Sequence, residues 1–229
     1  MLYRKGMMVM KKKIISLIVV VAVGITSLGI FYFVNKPDDV KADITKNLDL
    51  MFNGVEYEAY PVDGAASSNP YDSVDSEYYD NIISMGTEAV GPLEELMMSG
   101  GMPAAYQYVS AVALQEITGC DMAEVTGVSW SNVGQFKEMW NSTMQSLPET
   151  LESIKNDSKL SAEEKRNEME KYGVFGKAYA CKTAENGFQL GELKVEAVTD
   201  DGLRKEFKEL GEGMSGKDLD NVLGYMSKK

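Results

Sequence analysis

The chain predicts an all-α protein: an N-terminal transmembrane helix followed by an irregular array of short, paired helices. Three observations lead there. Residues Ile14 to Val34 form an uncharged apolar run, IISLIVVVAVGITSLGIFYFV. Past it, apolar residues recur at helical spacing in one segment after another, with Gly or Pro at most of the boundaries. Strand-like alternation is read in one short stretch, Val55, Tyr57 and Ala59.

At about 1.5 Å of helix rise per residue, the run from 14 to 34 spans about 30 Å, the thickness of a bilayer's hydrocarbon core, so it can cross once. A cleavable signal peptide would have a shorter apolar region, roughly 7 to 15 residues, ending in small residues. This run closes instead on Phe31, Tyr32 and Phe33, which suit the membrane interface. The first cysteine is Cys120, so nothing beside the run could carry a lipid. Arg4, Lys5 and Lys11 to Lys13 precede the run and predict a cytoplasmic N-terminus in the cell membrane with the C-terminal domain outside. The expected organisation is a basic cytoplasmic tail (1–13), the anchor (14–34), a brief linker (35–39) and one extracytoplasmic helical domain (40–229), large enough for a core of its own.

Charge divides the chain in the same place. Residues 1–35 hold five Lys and Arg and no acid, whereas the remainder has 18 Lys and Arg against 35 Asp and Glu, a net charge of −17. Such a surface repels nucleic acid and anionic head groups and favours cationic partners or water. The expected partners are therefore the membrane, through the single span, and a protein or cell-envelope component.

Within the domain, Val40 to Phe52 carries Ile44, Leu48 and Met51 at helical spacing and stops at Gly54. Residues 55–70, with GAASSNP, read as loop. Helices are expected from Asp75 to Met85, ending at Gly86, from Glu88 to Met98, ending at Gly100, and from Pro103 to Thr118, ending at Gly119. Val109, Val112, Ala113 and Ile117 give the third an apolar face. Ser131 is a candidate cap for a longer helix with the stripe Phe136, Met139, Trp140, Thr143, Met144 and Leu147, after which Pro148 restarts the chain, Leu151 and Ile154 facing inward. Ser161 with Glu164 forms a capping box for a helix that stops at Gly173, and Ser215 with Asp218 resembles another for the last helix.

Two stretches echo each other, IISMGTEAVGPLEELMMSG around Gly86 and EMEKYGVFGKAYACKTAENG around Gly173. In each, a helix end, a Gly and a second helix precede another Gly fourteen residues on, Gly100 or Gly187. The first copy resembles a HEAT-type helical repeat in Met85, Gly86, Ala89, Pro92 and Leu93. The likeness covers residues 75–118 and, less closely, 161–198, where Gly176 and Ala178 replace the Ala and Pro. The copies lie 87 residues apart, against roughly 40 to 47 for tandem repeats of this kind. The array implied is therefore irregular. Ser67 to Asp72 (SSNPYD) is similar to uncharacterised bacterial extracytoplasmic helical proteins, which implies location and fold and carries over no activity.

The absence of His excludes Ser-His-Asp and Cys-His triads and two-His zinc peptidase motifs. GEGMSGK at Gly211 to Lys217 approximates a phosphate-binding loop but continues with Asp218 where Ser or Thr would bind magnesium, and no nucleotide is expected. The paired acids Glu94/Glu95, Glu163/Glu164 and Asp200/Asp201 are adjacent, so on a helix they diverge by about 100° and read as solvated faces. Asp200, Asp201 and Gly202 lack the alternation of a calcium loop. Lys155, Ser158 and Lys159 read as a helix end and linker, since S-x-x-K companions are missing. No catalytic, cofactor-binding or metal-ligating residue is expected, and no cofactor. Cys120 and Cys181 are candidates for a disulfide joining the two repeat-like halves, with buried free thiols as the alternative. Tyr57, Tyr60, Tyr71, Tyr78 and Tyr79 are candidates for a contact patch, or else pack a helix pair against the preceding loop. The expectation is a non-enzymatic binding or scaffold module. The alternatives are an envelope sensor or regulator acting through a membrane partner, and a carboxylate-based envelope hydrolase.

Overall fold

A computed structural model describes residues 37–53 and 74–229. The apolar run 14–34, the alternating residues 55–59 and Tyr57, Tyr60 and Tyr71 lie outside them. Among the described residues no helix is long and apolar enough to cross a membrane. The chain divides into two compact units, Met1–Val40 and Lys41–Lys229. Of the first, only the opening turn of a helix is described.

The helical expectation holds for most of it. Helix α1 runs Pro37–Asn53, beginning at a proline that needs no N–H partner there. Helix α2 (Glu77–Ser84) starts at Ser76, whose side chain accepts from Tyr79 N, and ends before Gly86, which has φ +58°. A 3₁₀ turn, Gly86–Ala89, leads into α3 (Val90–Met98). Pro103 precedes α4 (Ala104–Thr118), which closes on left-handed Gly119. Helix α5 (Met122–Thr126) is a single turn capped by Asp121.

Helix α6 (Val133–Asn156) is one element of 24 residues with Pro148 inside it. The expected break at Pro148 does not occur. A proline forfeits one intrahelical bond, but Met144, Leu147 and Leu151 continue one buried stripe across it, and the packing of that stripe outweighs the lost bond. Its cap is Asn132 in place of Ser131, with Gln135 reaching back to Ser131 N at 2.8 Å. Helix α7 (Ala162–Glu170) has the Ser161/Glu164 capping box in full.

Gly173 has φ +53°, and a Cβ there would stand 1.9 Å from Thr118 O. It lets the start of α8 (Val174–Glu185) cross the end of α4. At Gly176 an added Cβ would lie 1.9 Å from Met169 O, so α8 also crosses α7 backbone to backbone. After α8 the chain forms an antiparallel hairpin, β1 (Phe188–Leu190) and β2 (Leu193–Val195), paired Phe188 to Val195 and Leu190 to Leu193. This departs from the all-helical expectation. Helix α9 (Asp201–Leu210), capped by Asp200, and α10 (Gly216–Met226), capped by Ser215, complete the unit.

The helix pairing differs from the expected repeat units. In residues 75–118 the tightest pairing is α3 with α4, not the helices flanking Gly86; in 161–198, α8 packs most closely on α9. The core runs through the middle as successive ring contacts: Tyr108–Trp130, Trp130–Phe136, Phe136–Trp140, Trp140–Phe175 and Phe175–Tyr225, with centroids 5.0 to 6.1 Å apart. Trp140, Phe136 and Phe175 are fully buried. This six-ring column ties α4, α6, α8 and α10 together.

Candidate functional site

A surface depression lies where α1 meets the C-terminal end of α3. It is lined by Lys41, Glu95, Leu96, Met98, Ser99 and Met102 and holds about 440 Å³. Its position follows from the local sequence. Helix α3 ends at Ser99, whose extended backbone turns the chain away, and Gly100 and Gly101 carry it to Met102. Gln107 on α4 fixes that loop by donating to Ser99 O at 3.1 Å and Met102 O at 2.7 Å. Met98 is left 36% exposed although Met97 beside it is fully buried. Lys41 Nζ pairs with Glu95 across one side. Chemically the site offers two thioethers and a leucine edge, framed by one ion pair.

Two clusters of titratable side chains lie elsewhere. On α6, Glu152 accepts from Tyr179 Oη of α8 and pairs with Lys155 Nζ at 2.8 Å. Lys155, only 6% exposed, also donates to Glu196 O at 3.0 Å, just past β2. Burial by itself would raise the Glu152 carboxyl, but hydrogen bonds from Lys155, Tyr179 and Asn156 outweigh it and hold the group below the ordinary glutamate value. Tyr179 is pushed well above the usual phenol range by burial and by its bond to Glu152. Every partner is supplied from within the fold, so this cluster is a clamp holding the hairpin and α8 on α6. Reading Lys155 as part of a helix end and linker missed it: at i and i+3, Glu152 and Lys155 share a helix face, and that face turns inward.

The second cluster centres on Glu94. Its carboxylate accepts from Trp140 Nε1 at 3.1 Å and from Lys229 Nζ, which also sits 4.7 Å over the Tyr225 ring. Glu94 is thus largely buried, contrary to the expectation of a solvated face. Glu95, its neighbour, does face solvent. Burial and the nearby Glu94 charge raise Tyr225.

The remaining sequence candidates fall in caps and core. Glu164 closes the capping box and Glu163 is exposed. Asp200 caps α9 while Asp201 pairs with Arg204 at 2.9 Å. In GEGMSGK, Ser215 caps α10, Lys217 pairs with Glu88, and Asp218 accepts from Thr87 Oγ1 at 2.7 Å, so that helix start is held by the chain's own groups. Tyr79 does not contribute to an exposed patch: it is 4% exposed and donates to Glu116 at 2.7 Å, because its place on α2 faces α4. Tyr78 is half-buried. Cys120 and Cys181 are free thiols, the first buried just past α4 and the second half-buried on α8 beside Gly211. Among the described residues no group of His, Cys, Asp and Glu is arranged to hold a metal ion. The depression was not anticipated, although M-M-S-G-G-M, a helix end followed by two glycines between methionines, is visible in the sequence.

No protein family, curated protein or solved structure matches the chain.

Proposed function

We infer that this chain is a single-pass, membrane-anchored extracytoplasmic protein whose helical domain is a non-enzymatic binding or scaffold module for a protein or cell-envelope partner. The anchor rests on the apolar run 14–34 and the basic residues before it. The observation that carries the binding reading is the depression at the end of α3, where Met98 stands exposed beside Met102 with the Lys41–Glu95 pair at the rim. Unbranched thioethers adapt to the shape of a partner, and an apolar centre with a polar edge has the anatomy of an interface. The net charge of −17 on residues 36–229 favours a partner with a basic contact face.

The test is a photocrosslinking amino acid at position 98, activated in intact cells and read by mass spectrometry. The reading expects one specific partner, lost when Met102→Asp is added. Recovery of the same background from position 98 as from exposed Glu163 overturns it.

A further inference from the structure

The methionines of the helical unit differ sharply in what surrounds them. Met97, Met122, Met144, Met169 and Met226 are each no more than 1% exposed, whereas Met98 is 36% exposed. The contrast is greatest between neighbours. Successive residues on a helix point about 100° apart, so Met97 enters the core while Met98 turns to the depression at the end of α3, which half-buried Met102 also lines. Approach from the loop side is open: a Cβ added at Gly100 or Gly101 would meet nothing within 4 Å. The depression needs no opening motion to admit a small reagent. Gln107 holds both sides of its loop through Ser99 O and Met102 O, and Lys137 Nζ donates to Gln107 Oε1 at 2.5 Å, tying the loop to α6.

We propose that Met98 is an oxidation site, at which a peroxide converts the thioether to the sulfoxide, and that the sulfoxide switches off the contact made by the depression. The switch rests on the binding reading above; the oxidation site does not. With hydrogen peroxide, the sulfur lone pair attacks one oxygen, an S–O bond forms and the O–O bond breaks. The departing hydroxide takes the proton from the new S–OH group and leaves as water, so the sulfur is oxidised and the peroxide reduced. The product replaces a flexible apolar side chain with a polar one. Lys41 and Ser99 bring an ammonium and a hydroxyl to the same depression, donors of the kind a sulfoxide oxygen accepts, so the oxidised side chain keeps a place at the surface. What is lost is the apolar centre, the part of an interface that excludes water. Oxidation at Met98 spares the core, whose thioethers are enclosed.

Two measurements decide it. In the first, the full-length chain in detergent micelles is treated with dilute hydrogen peroxide, and the peptide 96–116 is released by cleavage after Glu95 and Glu116; it carries Met97, Met98 and Met102 together. Met98 is expected to gain oxygen at least tenfold faster than Met97; a smaller ratio overturns the site. In the second, cells are treated with dilute peroxide until Met98 is partly oxidised, and proteins are joined by a cleavable amine-reactive crosslinker. The same peptide, which contains no lysine, is then compared between the crosslinked and monomeric pools. At least fivefold less Met98 sulfoxide is expected in the crosslinked pool. A smaller difference overturns the switch and leaves the binding reading in place. Absence of a crosslinked pool in untreated cells overturns the binding reading and the switch with it, and the peptide mapping alone still decides the oxidation site.

Discussion

Gly173 is the residue on which the packing of α4 against α8 turns. Its φ of +53° is left-handed, and a methyl group there would stand 1.9 Å from Thr118 O. Neither the torsion nor the space admits a side chain. Gly173→Ala is expected to cost on the order of 3 kcal/mol, read as a drop in the denaturation midpoint; a change under about 1 kcal/mol would mean the two turns can part freely. Glu152 shows a different kind of dependence. Its folded carboxyl is held below the ordinary value of 4.5, so the stability it confers is fully present above pH 4.5 and is lost as pH falls through the lowered folded value. Titrating stability from pH 6 to 2.5 is expected to show an acid limb that is shallower in Glu152→Gln. An identical limb in both would place the acid sensitivity elsewhere.

At the scale of elements, the parts governed by local rules were legible in the sequence. Ser161 with Glu164, Ser215, Gly119 and Gly173 mark their boundaries because capping and left-handed turns are chemistry of a few adjacent residues. What failed depended on distant partners. Pro148 reads as a stop unless one knows that Leu147 and Leu151 face a core able to keep the helix going. The hairpin in FQLGELKV carries its alternation and its Gly191 turn in plain view, but strands of three residues are too short to outweigh the helices on either side. The clamp of Lys155 on Glu196 O joins residues 41 apart, which periodicity cannot pair. The two thiols test the element packing directly. Burial, with the charges of Asp121 and Glu124, pushes the Cys120 thiol up to about 12, while Cys181 is raised mainly by partial burial. At pH 8 the native protein is expected to alkylate at Cys181 first and Cys120 slowly, and both at once in denaturant without reductant. No alkylation in denaturant until reductant is added would reveal a bridge.

For the molecule as a whole, the proposal that the acidic domain lies outside the membrane has its own test. Protease added to intact cells should digest residues 40–229 and spare the basic stub; full protection of the chain would overturn that placement. The ring column gives such work a label already in place. The chain has two tryptophans, and the column holds both. Trp140 is fully enclosed with its Nε1–H bound to Glu94, while Trp130 is half-buried near the entry of α6. The two indoles should therefore emit at different wavelengths, the enclosed one bluer, with Tyr108 and Tyr225 close enough to pass excitation to them. Parting α4, α6, α8 and α10 breaks that optical relay, and the protein reports its own unfolding as a colour change, without an added dye.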